Sequence, residues 1–135
     1  MNVLIVVAHP EPASFNAAMA QAARTALAEA GHDVTVSDLY GEGFNPLAGR
    51  HDFTTTADPA RFHYQSEQAL AARENAFAPD IAREQARVAA SDLLILQFPL
   101  WWGGPPAMLK GWFERVLAYG FAYVDGARFD SGLFK

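Results

Sequence analysis

Residues 2–8 read Asn-Val-Leu-Ile-Val-Val-Ala, an apolar run dominated by β-branched side chains. A strand with one wet face alternates apolar and polar residues. A run without alternation therefore predicts a strand buried on both faces, as in a parallel sheet covered by helices. A second such run lies in residues 92–97, with Leu93, Leu94, Ile95 and Leu96 in succession, and a shorter strand is predicted over Val34-Thr-Val-Ser37. Between them the pattern turns helical. In residues 16–30, Met19, Ala23, Leu27 and Ala30 keep helical spacing, and Gly31 stands where a helix would end. Residues 67–75, 79–90 and 108–118 also read as helices, with Pro79 at a permitted first-turn position. Alternating strands and helices predict an α/β, doubly wound parallel sheet with right-handed crossovers.

In the strand order 2-1-3-4-5, strands one and three are neighbours with crossover helices on opposite faces, and ligands bind beyond their carboxyl ends. The loops at residues 9–14 and 98–106 follow those two strands, so both are expected on one crevice. The second loop reads Phe-Pro-Leu-Trp-Trp-Gly-Gly-Pro-Pro. Pro99, Pro105 and Pro106 stiffen it, while Gly103 and Gly104 open conformations closed to other residues. A rigid surface of main-chain amides and indole rings suits a planar aromatic ligand. Trp101 and Trp102 read either as that surface or as filling for a core or subunit interface. Adjacent loop residues rarely bury together, so at least one is expected to face the crevice or a partner. Trp112 and Phe113 are expected in the core, and Lys110, Glu114 and Arg115 on a solvated helix face.

The first loop lacks both G-x-G-x-x-G and G-x-x-x-x-G-K-[ST], which excludes a dinucleotide Rossmann turn and a P-loop. It offers His9, Ser14, Asn16 and the free amides of a helix start, a combination that reads as a small anion site. Ser14 reads equally as a helix N-cap and His9 as a packed loop residue. Asp38 ends the second strand, where a Rossmann protein holds a ribose hydroxyl, but the missing glycine fingerprint speaks against that role. Residues 38–67 read as an irregular excursion, long enough to be functional or to cover something.

Composition narrows the field. The chain has 135 residues, enough for one domain spanning 1–135, and no cysteine, which removes disulfides and thiol chemistry. A net charge of −5 argues against nucleic acid as a partner. No apolar run approaches the roughly 20 residues of a membrane span, so no membrane insertion is expected. The chain enters a strand pattern at once, without a charged leader, and a cytoplasmic protein is the expectation. His9, His32, His51 and His63 show no metal-ligand spacing, so no metal site is predicted. No Ser-His-Asp set can be assembled, and catalytic residues stay unassigned.

Several motifs, taken together in order, resemble one family: HPEPASFN at residues 9–16, DLY at 38–40, FNP at 44–46, FPLWWG at 98–103 and LKGWFERV at 109–116, with PDI at 79–81 and FAY at 121–123. The chain is similar over its whole length to the NAD(P)H:quinone oxidoreductase (DT-diaphorase) family of flavodoxin-like flavoproteins. The resemblance implies a flavodoxin-like doubly wound sheet of which this chain covers about the first three strands. It implies FAD as cofactor, with FMN less favoured because residues 38–67 resemble the part that covers an adenosine. It also implies NADH or NADPH as electron donor, a quinone or related aromatic acceptor, and a homodimer. By the match, His9, Phe15 and Asn16 bind FAD with Ser14 close by. Pro99, Leu100, Trp101 and Trp102 lie against the isoalloxazine, and Tyr123 and Gly103 line the substrate pocket. The implied mechanism is ping-pong: hydride from NAD(P)H to flavin N5, then two electrons to the quinone.

The sequence also departs from the family. His63 stands where FAD-binding members often have glutamine, Asp125 replaces a second pocket tyrosine, and Gly103 replaces an aromatic residue. These changes imply a more open or differently shaped pocket. The family's Thr-Gly-Gly flavin loop and Tyr/His pair have no counterpart in the 135 residues. A fourth strand is expected after Gly132-Leu-Phe-Lys135, because a third strand left at the edge is open and apolar. Two further readings are an ancillary regulatory subunit of a glutathione-gated potassium efflux system, and a truncated non-catalytic fragment.

Overall fold

The apolar run at the start of the chain forms β1 (Asn2–Val7), whose side chains from Val3 onward are all buried. Two flanking strands account for that burial. β1 pairs in parallel with β2 (Asp33–Asp38) on one side and β3 (Leu93–Gln97) on the other, giving the order β2-β1-β3. This is the order expected for the first three strands. The register sets Val7 opposite both Asp38 and Gln97, so all three strands end level. The structure is a computed structural model, and it describes residues 1–127, 133 and 134. The fourth strand expected after residues 132–135 lies outside the described residues.

The described chain forms two compact units, Met1–Pro46 with Ala86–Lys110, and Leu47–Gln85 with the described residues from Gly111 onward. The first holds the sheet and α1 (Phe15–Glu29). Ala20 of α1 is buried with Val3, Ile5 and Val7, and Ala23, Leu27, Val34, Val36 and Ile95 pack around them. The inner stripe of the helix therefore runs through residues 20, 23 and 27. Met19 and Ala30, which share the spacing expected from the sequence, face out. Small alanines let the helix lie close to the sheet, which leaves the longer Met19 for the outer side. The helix ends in a Schellman motif: the Gly31 amide donates to the Ala28 carbonyl at 3.0 Å and the His32 amide to Leu27 at 3.1 Å. Gly31 carries the positive φ of 84° that this ending needs.

The second unit holds a short 3₁₀ turn at Arg50–Asp52, α2 (Tyr64–Glu74), the start of α3 (Pro79–Ala90) and the end of α4 (Ala107–Val116). α2 begins three residues before its expected start because His63 caps it. The His63 Nδ1 accepts from the Ser66 amide at 3.3 Å, a role more often taken by Ser, Asp or Asn. Trp112 is fully buried, as expected, and its indole donates to Glu84 at 2.9 Å. Phe113 is half-buried against the Trp112 ring.

Lys110 and Glu114 lie exposed, as expected for a solvated face, but Arg115 does not. It is only 1% exposed, and its guanidinium donates to Asp52 at 2.8 Å and to Asp80 at 2.7 Å. Tyr64 donates its hydroxyl to the other oxygen of Asp52 at 2.5 Å. A buried cation is tolerable only where anions and hydrogen bonds meet it. Here they come from distant parts of the chain, which local helical spacing does not reveal. Burial alone would raise the Asp80 carboxyl, but the hydrogen bond and charge of Arg115 outweigh it and hold it below its ordinary value. Burial, then the hydrogen bond and charge of Asp52, push the Tyr64 phenol up, so it stays a neutral donor.

A carboxyl lowered on folding adds stability that is present above its unfolded value of about 4 and is lost as pH falls through the folded value. Replacing Arg115→Met leaves Asp52 buried without its cation. It is expected to cost about 3–5 kcal/mol in urea unfolding at pH 7. The same measurement below about pH 4 should show a shallower acid loss than in the wild type. Asp80→Asn, at a partly exposed position, should flatten the acid limb at smaller cost.

Candidate functional site

The level ends of β1 and β3 start two loops in the first unit. The Ala8 amide donates to the Gln97 carbonyl at 3.0 Å, so the parallel ladder continues one step beyond β1. Past that point the chains part, and the loops at residues 9–14 and 98–106 flank the opening. The His9 ring lies 5.9 Å from that of Trp101, tilted by 59°. The Gln97 amide reaches Asn16 at 2.7 Å, joining the end of β3 to the first turn of α1. The two loops therefore meet at the ends of β1 and β3, as expected.

The first loop folds on its own polar groups. The Glu11 amide donates to His9 Nδ1 at 3.0 Å, the Ala13 amide to the Glu11 carboxylate at 2.8 Å, and the Ser14 amide to the Glu11 carbonyl at 3.1 Å. With Nδ1 accepting, the proton of a neutral His9 sits on Nε2. Ser14 is the N-cap of α1, its Oγ accepting from the Ala17 amide at 3.1 Å. That settles its capping role, and one of the four amides orphaned at a helix start is thereby satisfied. The amides of Phe15 and Asn16 make no hydrogen bond among the described residues. The Phe15 ring projects into solvent.

The second loop is a tight hairpin. Trp101 and Gly104 exchange two main-chain hydrogen bonds, at 3.0 and 3.1 Å, around the pair Trp102-Gly103. Both central residues have positive φ, 50° for Trp102 and 72° for Gly103, as in a type I′ turn. Glycine takes that conformation freely, whereas tryptophan does so at a cost. Trp102 is fully exposed, Leu100 largely so and Trp101 about half, while Pro99 is half-buried. The amides of Trp102 and Gly103 are without a hydrogen bond among the described residues.

Of the other residues singled out, Asp38 accepts from the Gly41 amide at 3.0 Å and so closes a turn after β2. A cavity of about 410 Å³ lies beside α1, with Ser14, Gln21, Arg24 and Asp38 among its lining. Tyr123 belongs to the second unit, where its hydroxyl accepts from Gln65 at 3.1 Å and its ring meets Tyr119 edge-on. Asp125 is exposed in the same unit. The second unit has its own cavity of about 310 Å³, lined by Ala57, Asp58, Arg61, His63, Ser66 and Glu67. Gln97 and Glu11 escaped the sequence reading. The available signal was a polar residue closing an otherwise apolar strand, and an acidic residue two positions after His9.

Comparison with known proteins gives the family of the fold. The family model described as "Flavodoxin-like fold" matches residues 1–135. The chain belongs to that flavodoxin-like family. It is 52% identical to NAD(P)H dehydrogenase (quinone) 1 of Cavia porcellus, over 99% of this chain and 49% of that protein. It is 46% identical to ribosyldihydronicotinamide dehydrogenase (quinone) of Homo sapiens, over 99% of this chain and 58% of that one. It thus spans about half the length of the curated relatives it matches. Among solved structures, the NAD(P)H:quinone oxidoreductase of Methanothermobacter marburgensis superposes with a TM-score of 0.73 at 33% identity, covering 93% of this chain and 57% of that one. A Klebsiella pneumoniae chain superposes with a TM-score of 0.88 at 39% identity, covering 91% and 48%.

The strained turn yields a direct test. Trp102→Asn creates Asn-Gly, the pair that type I′ turns favour, and removes a side chain that buries nothing. The variant is expected to be about 1 kcal/mol more stable in urea unfolding, through relief of the left-handed tryptophan.

Proposed function

We propose that the protein is a flavin-dependent NAD(P)H:quinone oxidoreductase, working by hydride transfer in two half-reactions. The observation that carries this reading is the meeting of the two loops at the ends of β1 and β3, with the His9 and Trp101 rings 5.9 Å apart. The names of the curated relatives point the same way. No helix of the described residues is long and apolar enough to cross a membrane; a cytoplasmic place of action is part of the proposal.

The donor set fits a flavin. Its phosphate-bearing tail is an anion, and the start of α1 offers the Phe15 and Asn16 amides, the Asn16 side chain and the Nε2–H of His9. Its ring carries polar edge atoms, and the Trp102 and Gly103 amides are donors fixed in a stiff hairpin. The exposed indoles of Trp101 and Trp102 supply flat apolar area beside them. When bound, the flavin supplies two-electron chemistry, accepting hydride from NAD(P)H and passing it to a quinone or related aromatic acceptor. The chain's own part is to orient the ring, to exclude water with its aromatic loop and to hold donors toward negative charge on the reduced ring. FAD is preferred over FMN because residues 38–67 resemble the segment that covers an adenosine. Pro99 and Leu100 support the ring-facing loop, and Gly103 leaves room beside it for the acceptor. The exposed Phe15, Leu100 and Trp102 side chains favour a homodimer.

The test is flavin retention followed by turnover. The chain, mixed separately with FAD and FMN, should keep a flavin absorption band through gel filtration, FAD more firmly. It should then oxidise NADH or NADPH only when a quinone is present. His9→Ala should weaken flavin binding about tenfold without changing the far-UV circular dichroism, the loss of one hydrogen bond to a charged group. A folded chain that keeps neither flavin overturns the reading.

A further inference from the structure

Asparagine and histidine are ambident: each presents a donor on one side and an acceptor on the other, and nothing in their shape decides which side meets a ligand. Beside an anion the choice matters, since an acceptor turned toward negative charge repels it. At the start of α1 both choices are made by protein donors. The Glu11 amide occupies His9 Nδ1 at 3.0 Å, leaving Nε2–H outward. The Gln97 amide occupies Asn16 Oδ1 at 2.7 Å, leaving the Asn16 Nδ2 group without a partner among the described residues. The backbone of Gln97 is held in the sheet. Gln97 is the last residue of β3, paired with Val7, and its carbonyl takes the Ala8 amide at 3.0 Å.

We propose that Gln97 is a positioning residue: by holding the Asn16 carbonyl oxygen, it turns the Asn16 amide into a donor aimed at an anionic phosphate ester. The inference rests on the flavin reading for the identity of that ester, and extends it by naming the residue that sets the polarity of the phosphate end. Gln97 touches no ligand; it acts through Asn16. With the acceptor sides of His9 and Asn16 occupied, the open groups of these two side chains are donors, Nε2–H of His9 and Nδ2 of Asn16, and they stand beside the free amides of Phe15 and Asn16, while the Glu11 carboxylate of the same loop accepts from the Ala13 amide. The result is an anion site whose nearest donors are N–H groups of the main chain, Asn16 and His9.

Glu at position 97 can only accept, so Gln97→Glu should pull the Asn16 Nδ2 group toward itself and turn the carbonyl oxygen outward. Side-chain amide exchange in the ¹⁵N-labelled chain, without ligand, reads this directly. In the wild type the Gln97 Nε2 protons should exchange slowly and those of Asn16 fast; in Gln97→Glu the Asn16 protons should become the protected pair. Inorganic pyrophosphate, titrated against the same spectra, should shift the Asn16 side-chain amide and the Phe15 and Asn16 main-chain amides. Gln97→Glu should bind it about tenfold more weakly. In an Asn16→Ala background the same change should cost about threefold or less, the remainder due to added charge alone.

Protection of the Asn16 Nδ2 protons in the wild type overturns the assignment. So does a pyrophosphate titration that leaves Asn16 unmoved, or a tenfold loss that persists without Asn16. A wild type that behaves as expected with pyrophosphate yet retains no flavin upholds the positioning role and sinks the flavin reading instead.

Discussion

The pairing of β1 with β3 is the constraint on which the first unit depends. Because the two strands are parallel and end level, with Val7 opposite Gln97, the loops that follow them leave the sheet from the same edge. A slip of one residue would turn every side chain of β3 to the other face and move the Gln97 amide away from Asn16. The burial of Val3 to Val7 on both faces is what forbids that slip. Hydrophobic burial along a strand of six residues thus fixes, at a distance, the placement of polar groups that no apolar contact touches.

The two units meet the cost of buried polarity in opposite ways. In the second, Arg115 is closed off from water by Asp52 and Asp80, with Tyr64 satisfying the oxygen that remains on Asp52. The cluster completes itself and leaves nothing for a ligand. At the start of α1 the network is deliberately one-sided. Protein donors fill the acceptors, and the remaining donors stay open. A saturated network holds a fold in place, while an unsaturated one of uniform sign holds a binding preference.

What the sequence disclosed follows from the range of each interaction. The three strands, their order and the meeting of the two loops were legible, because a run such as residues 2–8 carries its own burial signal and the topology of parallel sheets leaves few options. Helix ends were legible where a conventional cap marks them, as at Ser14 and Gly31, but not at His63, whose imidazole took the capping role. That at least one of Trp101 and Trp102 stays unburied was foreseen from their adjacency, and Trp102 is fully exposed. Arg115 was misjudged, since its partners lie 63 and 35 residues away in sequence. Gln97 was missed for the same reason: its partner is 81 residues earlier. Periodicity reads local order, and long-range hydrogen bonds leave no periodic trace.

The conformation of Trp102 bears on why this loop has its composition. A two-residue hairpin that served only to reverse the chain would be most stable with Asn-Gly at its tip. Here a tryptophan holds the left-handed position, with φ of 50°, and buries none of its own surface. It gives the folded chain neither backbone comfort nor hydrophobic stabilisation. Strain of that kind persists where the surroundings or a ligand make use of it, and the inference runs from the observed outlier to the use. The same hairpin fixes the free amides of Trp102 and Gly103 beside the indole. A flat ligand with polar edge atoms would draw on the ring and the amides at once, and its binding free energy would offset the strain that the unliganded turn retains. On this view the strained turn at Trp102 is one that a flat ligand would stabilise.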